Sequence, residues 1–154
     1  MSISELFEDL GAPLNNRMWS WGAVRESDKT VFLRVWQHGT NKYQELDGKY
    51  YTWLSDMDAA DQSLGAAERR KHVDLIKNEG YKIYMIMCVS ADIVGKMGSI
   101  QEFDDKEVRI GGKVVEHNGE ILVEDVRRYT HNHIGLPSFL MRSTCLRRSA
   151  APRD

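Results

Sequence analysis

Glu107-Val108-Arg109-Ile110-Gly111-Gly112-Lys113-Val114-Val115-Glu116-His117-Asn118-Gly119-Glu120-Ile121-Leu122-Val123-Glu124-Asp125-Val126 is the stretch on which the fold turns. Gly-Gly and Asn-Gly favour two-residue turns, because both central positions of such a turn need positive φ. Segments 107–110, 113–117 and 120–126 therefore read as a three-stranded meander. The same logic applies upstream, where Asp47-Gly48 separates Tyr43–Leu46 from Lys49–Leu54. Further back, Met18–Arg25 and Val31–Gln37 are rich in aromatic and β-branched residues and flank the polar run Glu26-Ser27-Asp28-Lys29-Thr30, which predicts another hairpin. Tyr81–Val89 is a near-continuous apolar run, the pattern of a strand buried on both faces in the middle of a sheet.

Two segments have helical period. Ile3, Leu6, Phe7 and Leu10 follow i, i+3, i+4, i+7 spacing and are stopped by Gly11 and Pro13. From about Ser63 to Asn78, Val73 and Ile76 with the flank of Leu75 make an apolar stripe that Gly80 is placed to end. The sum predicts the α+β class: a mostly antiparallel, partly closed sheet of about eight strands with two helices.

The chain has 154 residues, with 21 Lys plus Arg against 23 Asp plus Glu, a size and balance that support one hydrophobic core. We expect a single domain over 1–141 and a basic tail over 142–154. That tail holds Arg142, Arg147, Arg148 and Arg153 against Asp154 alone, leaving a net acidic body. An acidic body argues against general binding of phosphate backbones, which depends on many Lys or Arg contacts. It also offers a surface on which the tail of this chain, or of a second copy in a homodimer, is expected to dock. The longest apolar run falls far short of a bilayer span, and the acidic opening segment is the reverse of a secretory signal, so a cytoplasmic protein without membrane contact is expected. Cys88 and Cys145 have no metal-ligand spacing and read as free thiols.

The densest candidate site is the first hairpin and its approach. Strand alternation from residue 18 puts Trp19, Trp21 and Arg25 on one face, and Arg34 and Trp36 share a face that suitable register makes the same one. With Arg17 nearby, these side chains form a candidate platform for a planar or anionic ligand, rings stacking and guanidiniums reading an anion or base edge. The competing reading makes the tryptophans core and lets the arginines line its rim.

Other constellations offer less. Asp28 with Asp47-Gly48-Lys49 imitates a nuclease core, in which two carboxylates hold a divalent ion and a lysine steadies hydroxide; the Asp-Gly pair is equally explained as a turn. His131 and His133, with His117 or an acid as third ligand, supply donors for a metal, or lie in a solvated linker. Asp56, Asp58 and Asp61 lack the glycine and distal glutamate of a calcium loop. Glu68-Arg69-Arg70-Lys71-His72 places Glu68 and His72 one turn apart, either as an acid–base pair or, the preferred reading, as a solvated helix face. Phosphate-loop, dinucleotide, nucleophile-elbow and zincin motifs are absent from the sequence, and no cofactor is implied.

Trp19–Arg25, Val31–Gln37 and Tyr84–Cys88 together resemble a family of small uncharacterised bacterial proteins suspected of kinship with PUA-like modules, a barrel class that includes readers of modified nucleobases. The resemblance spans residues 13–129 and implies a PUA-like barrel with a base as ligand; it assigns no catalytic residue. Leu136–Asp154 resembles the translated recombination-site sequence at the ends of proteins encoded on integron mobile gene cassettes. The expectation is a non-enzymatic binding domain, with a metal-dependent hydrolase or a homodimeric interaction module as the alternatives.

Overall fold

A computed structural model describes residues 2–36, 43–90 and 100–130. The tail, Cys145, His131 and His133 lie outside the described residues, as do the expectations attached to them. Helix α1 (Ile3–Asp9) opens on a capping box, in which the Ser2 hydroxyl accepts from the Glu5 amide and the Glu5 carboxylate accepts from the Ser2 amide. Strands β1 (Gly22–Arg25) and β2 (Thr30–Trp36) follow, joined by a single 3-10 turn over Glu26–Asp28, and then β3 (Tyr43–Leu46) and β4 (Lys49–Asp56). Helix α2 (Leu64–Glu79) starts on Ser63, whose side chain accepts from the Ala66 amide, and ends at Gly80, which takes the left-handed conformation at φ 70°. Strands β5 (Lys82–Ser90), β6 (Ile100–Phe103), β7 (Glu107–His117) and β8 (Glu120–Thr130) complete the order. No helix among the described residues is long and apolar enough to cross a membrane.

The strand path is β1-β2-β5-β7-β8-β4-β3, with β6 pairing to β5 off that path. The fold is thus α+β, with a mixed and open sheet where a mostly antiparallel, partly closed one was expected. The mixing comes from β2 and β5, which run parallel over Thr30–Trp36 and Lys82–Cys88 because β3, β4 and α2 intervene between them. Seven strands lie on the path and β6 is the eighth, but they are not the eight expected: β6 was not read from the sequence, and two expected strands are one. Gly111-Gly112 is not a turn but a bulge inside the continuous strand β7, whose register against β8 shifts between Ile110 and Gly111 and again between Gly111 and Val114. A Cβ on Gly111 would meet Ile83 and Val123, so the glycine serves close packing between neighbouring strands. The other two dipeptides turn as read: Asp47 and Gly48 take φ 54° and 80°, Asn118 and Gly119 take 50° and 78°.

Both faces of the central strands are covered. Phe32 and Trp36 of β2 with Tyr84, Ile86 and Cys88 of β5 pack under Leu6, Phe7 and Leu10 of α1. Val31, Leu33 and Val35 with Ile83, Met85 and Met87 pack under Val73 and Ile76 of α2. This double burial is what the unbroken apolar run in β5 requires. A third cluster, Tyr51, Trp53 and Leu122, lies on β4 and β8, with Trp21 against it.

Candidate functional site

The site is built where the approach to β1 meets the first half of α2. Asn16 makes a turn, its side-chain oxygen accepting from the amides of Met18 (2.8 Å) and Trp19 (3.3 Å). Met18 at the tip of that turn is 89% exposed. The chain then runs to Ser20 and Trp21, and the buried carboxylate of Glu68 holds it in place. Oε2 of Glu68 accepts from Ser20 Oγ at 3.0 Å and Asn15 Nδ2 at 3.3 Å, and Oε1 accepts from the Trp21 amide at 3.0 Å.

Arg69, the next residue, is 2% exposed and works on the other side of the same joint. Its Nη1 donates to the Leu54 carbonyl at 2.9 Å, and its Nη2 donates to the carbonyls of Trp21 at 3.0 Å and Arg34 at 2.7 Å. One guanidinium thereby ties α2 to β4, to β2 and to the segment entering β1. The fork of donors on a planar guanidinium suits this task in a way a lysine would not. Its carbon also lies 5.6 Å from the Trp21 ring centroid, a cation–π contact. Trp21 in turn meets Trp53 at 6.2 Å between centroids and rests on Gly65.

Burial dominates the electrostatics. It lowers the Arg69 pKa to about 9, helped by the like charge of Arg34 and opposed by Glu68. Arg34 is likewise lowered by burial, against the pull of the Cys88 thiol and Glu68. Burial pushes Cys88 up to about 12 despite the Arg34 guanidinium beside it, so the thiol is neutral and a poor nucleophile. His72, 4% exposed with Nδ1 unpartnered, is lowered to about 4 by burial and by the charges of Arg69 and Lys71. It is neutral near pH 7.

The sequence-predicted platform is divided by this geometry. Strand β1 begins at Gly22 instead of Met18, so the alternation that was to align Trp19 with Trp21 and Arg25 does not reach them. Trp36 is 5% exposed and belongs to the core under α1. Arg25 shares that side of the sheet: it lies 5.1 Å over the Phe32 ring, donates to the Leu10 carbonyl at 2.6 Å, and grips both oxygens of Asp28 at 3.0 and 2.8 Å. Arg34 is buried and donates to the Ser20 carbonyl at 2.6 Å. Trp19 and Trp21 are half-buried, and Arg17 is exposed. The platform as one flat surface is therefore divided: Arg34 is buried beneath the Ser20–Trp21 segment, Arg25 and Trp36 stand at opposite ends of β2, and Arg17, Trp19 and Trp21 keep part of their surface exposed.

Of the two residue sets for the alternative hydrolase, Asp28, Asp47 and Lys49 do not assemble, and the histidines near 131 lie outside the described residues. Asp28 stands beside β1 at one end of the sheet, held by Arg25, whereas Asp47 and Lys49 flank the β3–β4 turn at the other end. No group of three or more His, Cys, Asp or Glu among the described residues is arranged to hold a metal ion. Glu68, Arg69 and His72, read as a solvated helix face, are buried instead. The signal that finds Arg69 was in the spacing: Ala66, Arg69, Val73 and Ile76 recur at three and four, which puts a charged residue inside the apolar stripe.

Compared with known proteins, the chain matches no family model, no curated protein and no solved structure.

Proposed function

We propose that the protein is a non-enzymatic binding module whose rim, formed by Trp19, Trp21 and Arg17, takes a planar or anionic ligand such as a nucleobase. Arg34, which donates to the Ser20 carbonyl, supports the rim from behind, while Arg25 and Trp36 belong to the core under α1. The observation that carries this reading is the way the rim is held: two half-exposed indoles stand on a short loop whose amide and side chains are fixed by the buried carboxylate of Glu68. Loops held on a rigid scaffold are where binding groups concentrate, and pre-organisation lowers the entropy lost when a ligand docks. Stacking on an aromatic ring contributes about 1–3 kcal/mol per base.

A thermal-shift screen with nucleotides and free modified bases tests the reading, because any ligand that binds the folded state raises the melting temperature by mass action. The expected result is stabilisation by at least one member, lost in Trp19→Ala, with the melting temperature of the unliganded variant little changed. A stabilisation that survives both Trp19→Ala and Arg17→Ala would place binding elsewhere and refute the proposal.

A further inference from the structure

Two guanidiniums and one carboxylate meet behind Trp21. Arg34 and Arg69 are both buried, and the carboxylate that acts on each of them is Glu68. Glu68 is itself occupied by Ser20, Asn15 and the Trp21 amide. The carbonyls of Leu54, Trp21, Arg34 and Ser20 solvate the two arginines with dipoles but bring no net charge. The Nε atoms of both arginines are buried without a partner. Cys88 and His72, the remaining titratable groups in the cluster, are neutral near pH 7. Among the described residues, the interior beneath the rim therefore carries one uncompensated positive charge, against the general rule that buried charges are paired.

Resting on the rim reading above, we propose that the ligand is an anion: the rim selects planar rings bearing a single negative charge over neutral or cationic rings of the same shape, and the selecting groups are the buried Arg34 and Arg69. Trp21 is the conduit, since Arg69 faces one side of its ring and the indole is half-exposed. At the surface, Arg17 with Glu5 acting on it and the half-buried Arg70 with Asp61 acting on it bring charges of both signs, and Asp56, bonded to Trp53 Nε1 at 3.0 Å, adds a negative one. Exposed charges of this kind are strongly screened by salt, and buried ones much less. A unit charge about 10 Å away in a medium of intermediate dielectric alters affinity on the order of tenfold.

Isothermal titration with three probes of one shape tests this: 1-naphthylacetate, 1-naphthylacetamide and 1-(1-naphthyl)ethylamine, each in low salt and in 0.5 M NaCl. The acetate should bind about tenfold tighter than the acetamide, with the amine weakest, and the preference should persist in high salt. Glu68→Gln, which removes the one compensating charge, should widen the ratio, and Arg34→Met should bring it close to one. Should Arg34→Met fail to fold, the Glu68→Gln ratio decides alone. Equal binding of acetate and acetamide, abolished together by Trp19→Ala, would overturn the charge selectivity and leave the rim intact. A preference that vanishes in high salt would assign it to Arg17 and overturn the proposal. Binding of none of the three probes would remove both the selectivity and the rim.

Discussion

Trp21 lies against Gly65 so closely that any side chain at 65 would overlap the indole ring. The contact fixes where the first turn of α2 sits relative to the segment entering β1. Replacing a helical glycine by alanine ordinarily favours the helix by up to about 1 kcal/mol. Here we expect the opposite sign: Gly65→Ala should destabilise by about 1–3 kcal/mol through overpacking, read from the urea midpoint. A variant as stable as the parent would show that the indole is free to move aside.

Arg69→Met should be among the most damaging single changes in the chain. It takes the guanidinium donors from the buried carbonyls of Leu54, Arg34 and Trp21, the last of which keeps the Arg34 amide at 2.8 Å. The expected loss is about 3–5 kcal/mol, measured by denaturant unfolding. A loss below about 1 kcal/mol would mean that water enters the joint and satisfies those carbonyls.

Stability should fall in mild acid because of His72. Its folded pKa of about 4 lies below its ordinary 6.5, so the unfolded chain takes up a proton that the folded chain refuses. The stabilisation is complete above pH 6.5 and is lost as pH drops towards 4, a total of about 3 kcal/mol. Asp28 acts lower on the scale. Burial raises its pKa, but hydrogen bonds from Arg25 and Thr30 and the charges of Arg25 and Lys82 outweigh that and hold it below 3.8. Unfolding curves at pH 7.5 and 4.5 should therefore differ by about 2–3 kcal/mol less in His72→Met than in the parent. An unchanged pH dependence would remove His72 as the cause.

Cys88 should resist alkylation in the folded protein. It is fully buried, and its pKa of about 12 leaves almost no thiolate. In a Cys145→Ser background, iodoacetamide at pH 8 should label Cys88 at the rate of global or local opening and quickly in urea. Fast labelling of the native protein would show that the core under α1 opens readily.

How much of this was legible in the sequence depends on whether the signal was local. Helix ends and two-residue turns are decided by a few neighbouring residues, so Gly80, Asp47-Gly48 and Asn118-Gly119 were read as they stand. Gly111-Gly112 was misread because a bulge and a turn share the same local chemistry, and only the pairing with β8 separates them. The parallel pairing of β2 with β5 left no trace in either strand, since a strand buried on both faces looks alike in both orientations. For the candidate site, residue types pointed to the approach to β1, but not to the helix it packs against. Glu68 and Arg69 looked like solvent-facing charges because the donors and carbonyls that justify their burial come from segments far away in sequence.

The parallel pair β2–β5 also sets the order in which the chain can acquire its native state. Thr30 finds Lys82 across a loop of roughly fifty residues, so the entropy of closing that loop must be spent before the two strands gain anything from each other. During synthesis the N-terminal hairpin emerges early, and Val31, Leu33 and Val35 must wait for Val73 and Ile76 of α2 to cover them and for β5 to pair with them. The late encounter is the non-local step that this topology imposes, and a chain that stops before residue 82 lacks the strand that joins the N-terminal hairpin to the rest of the sheet.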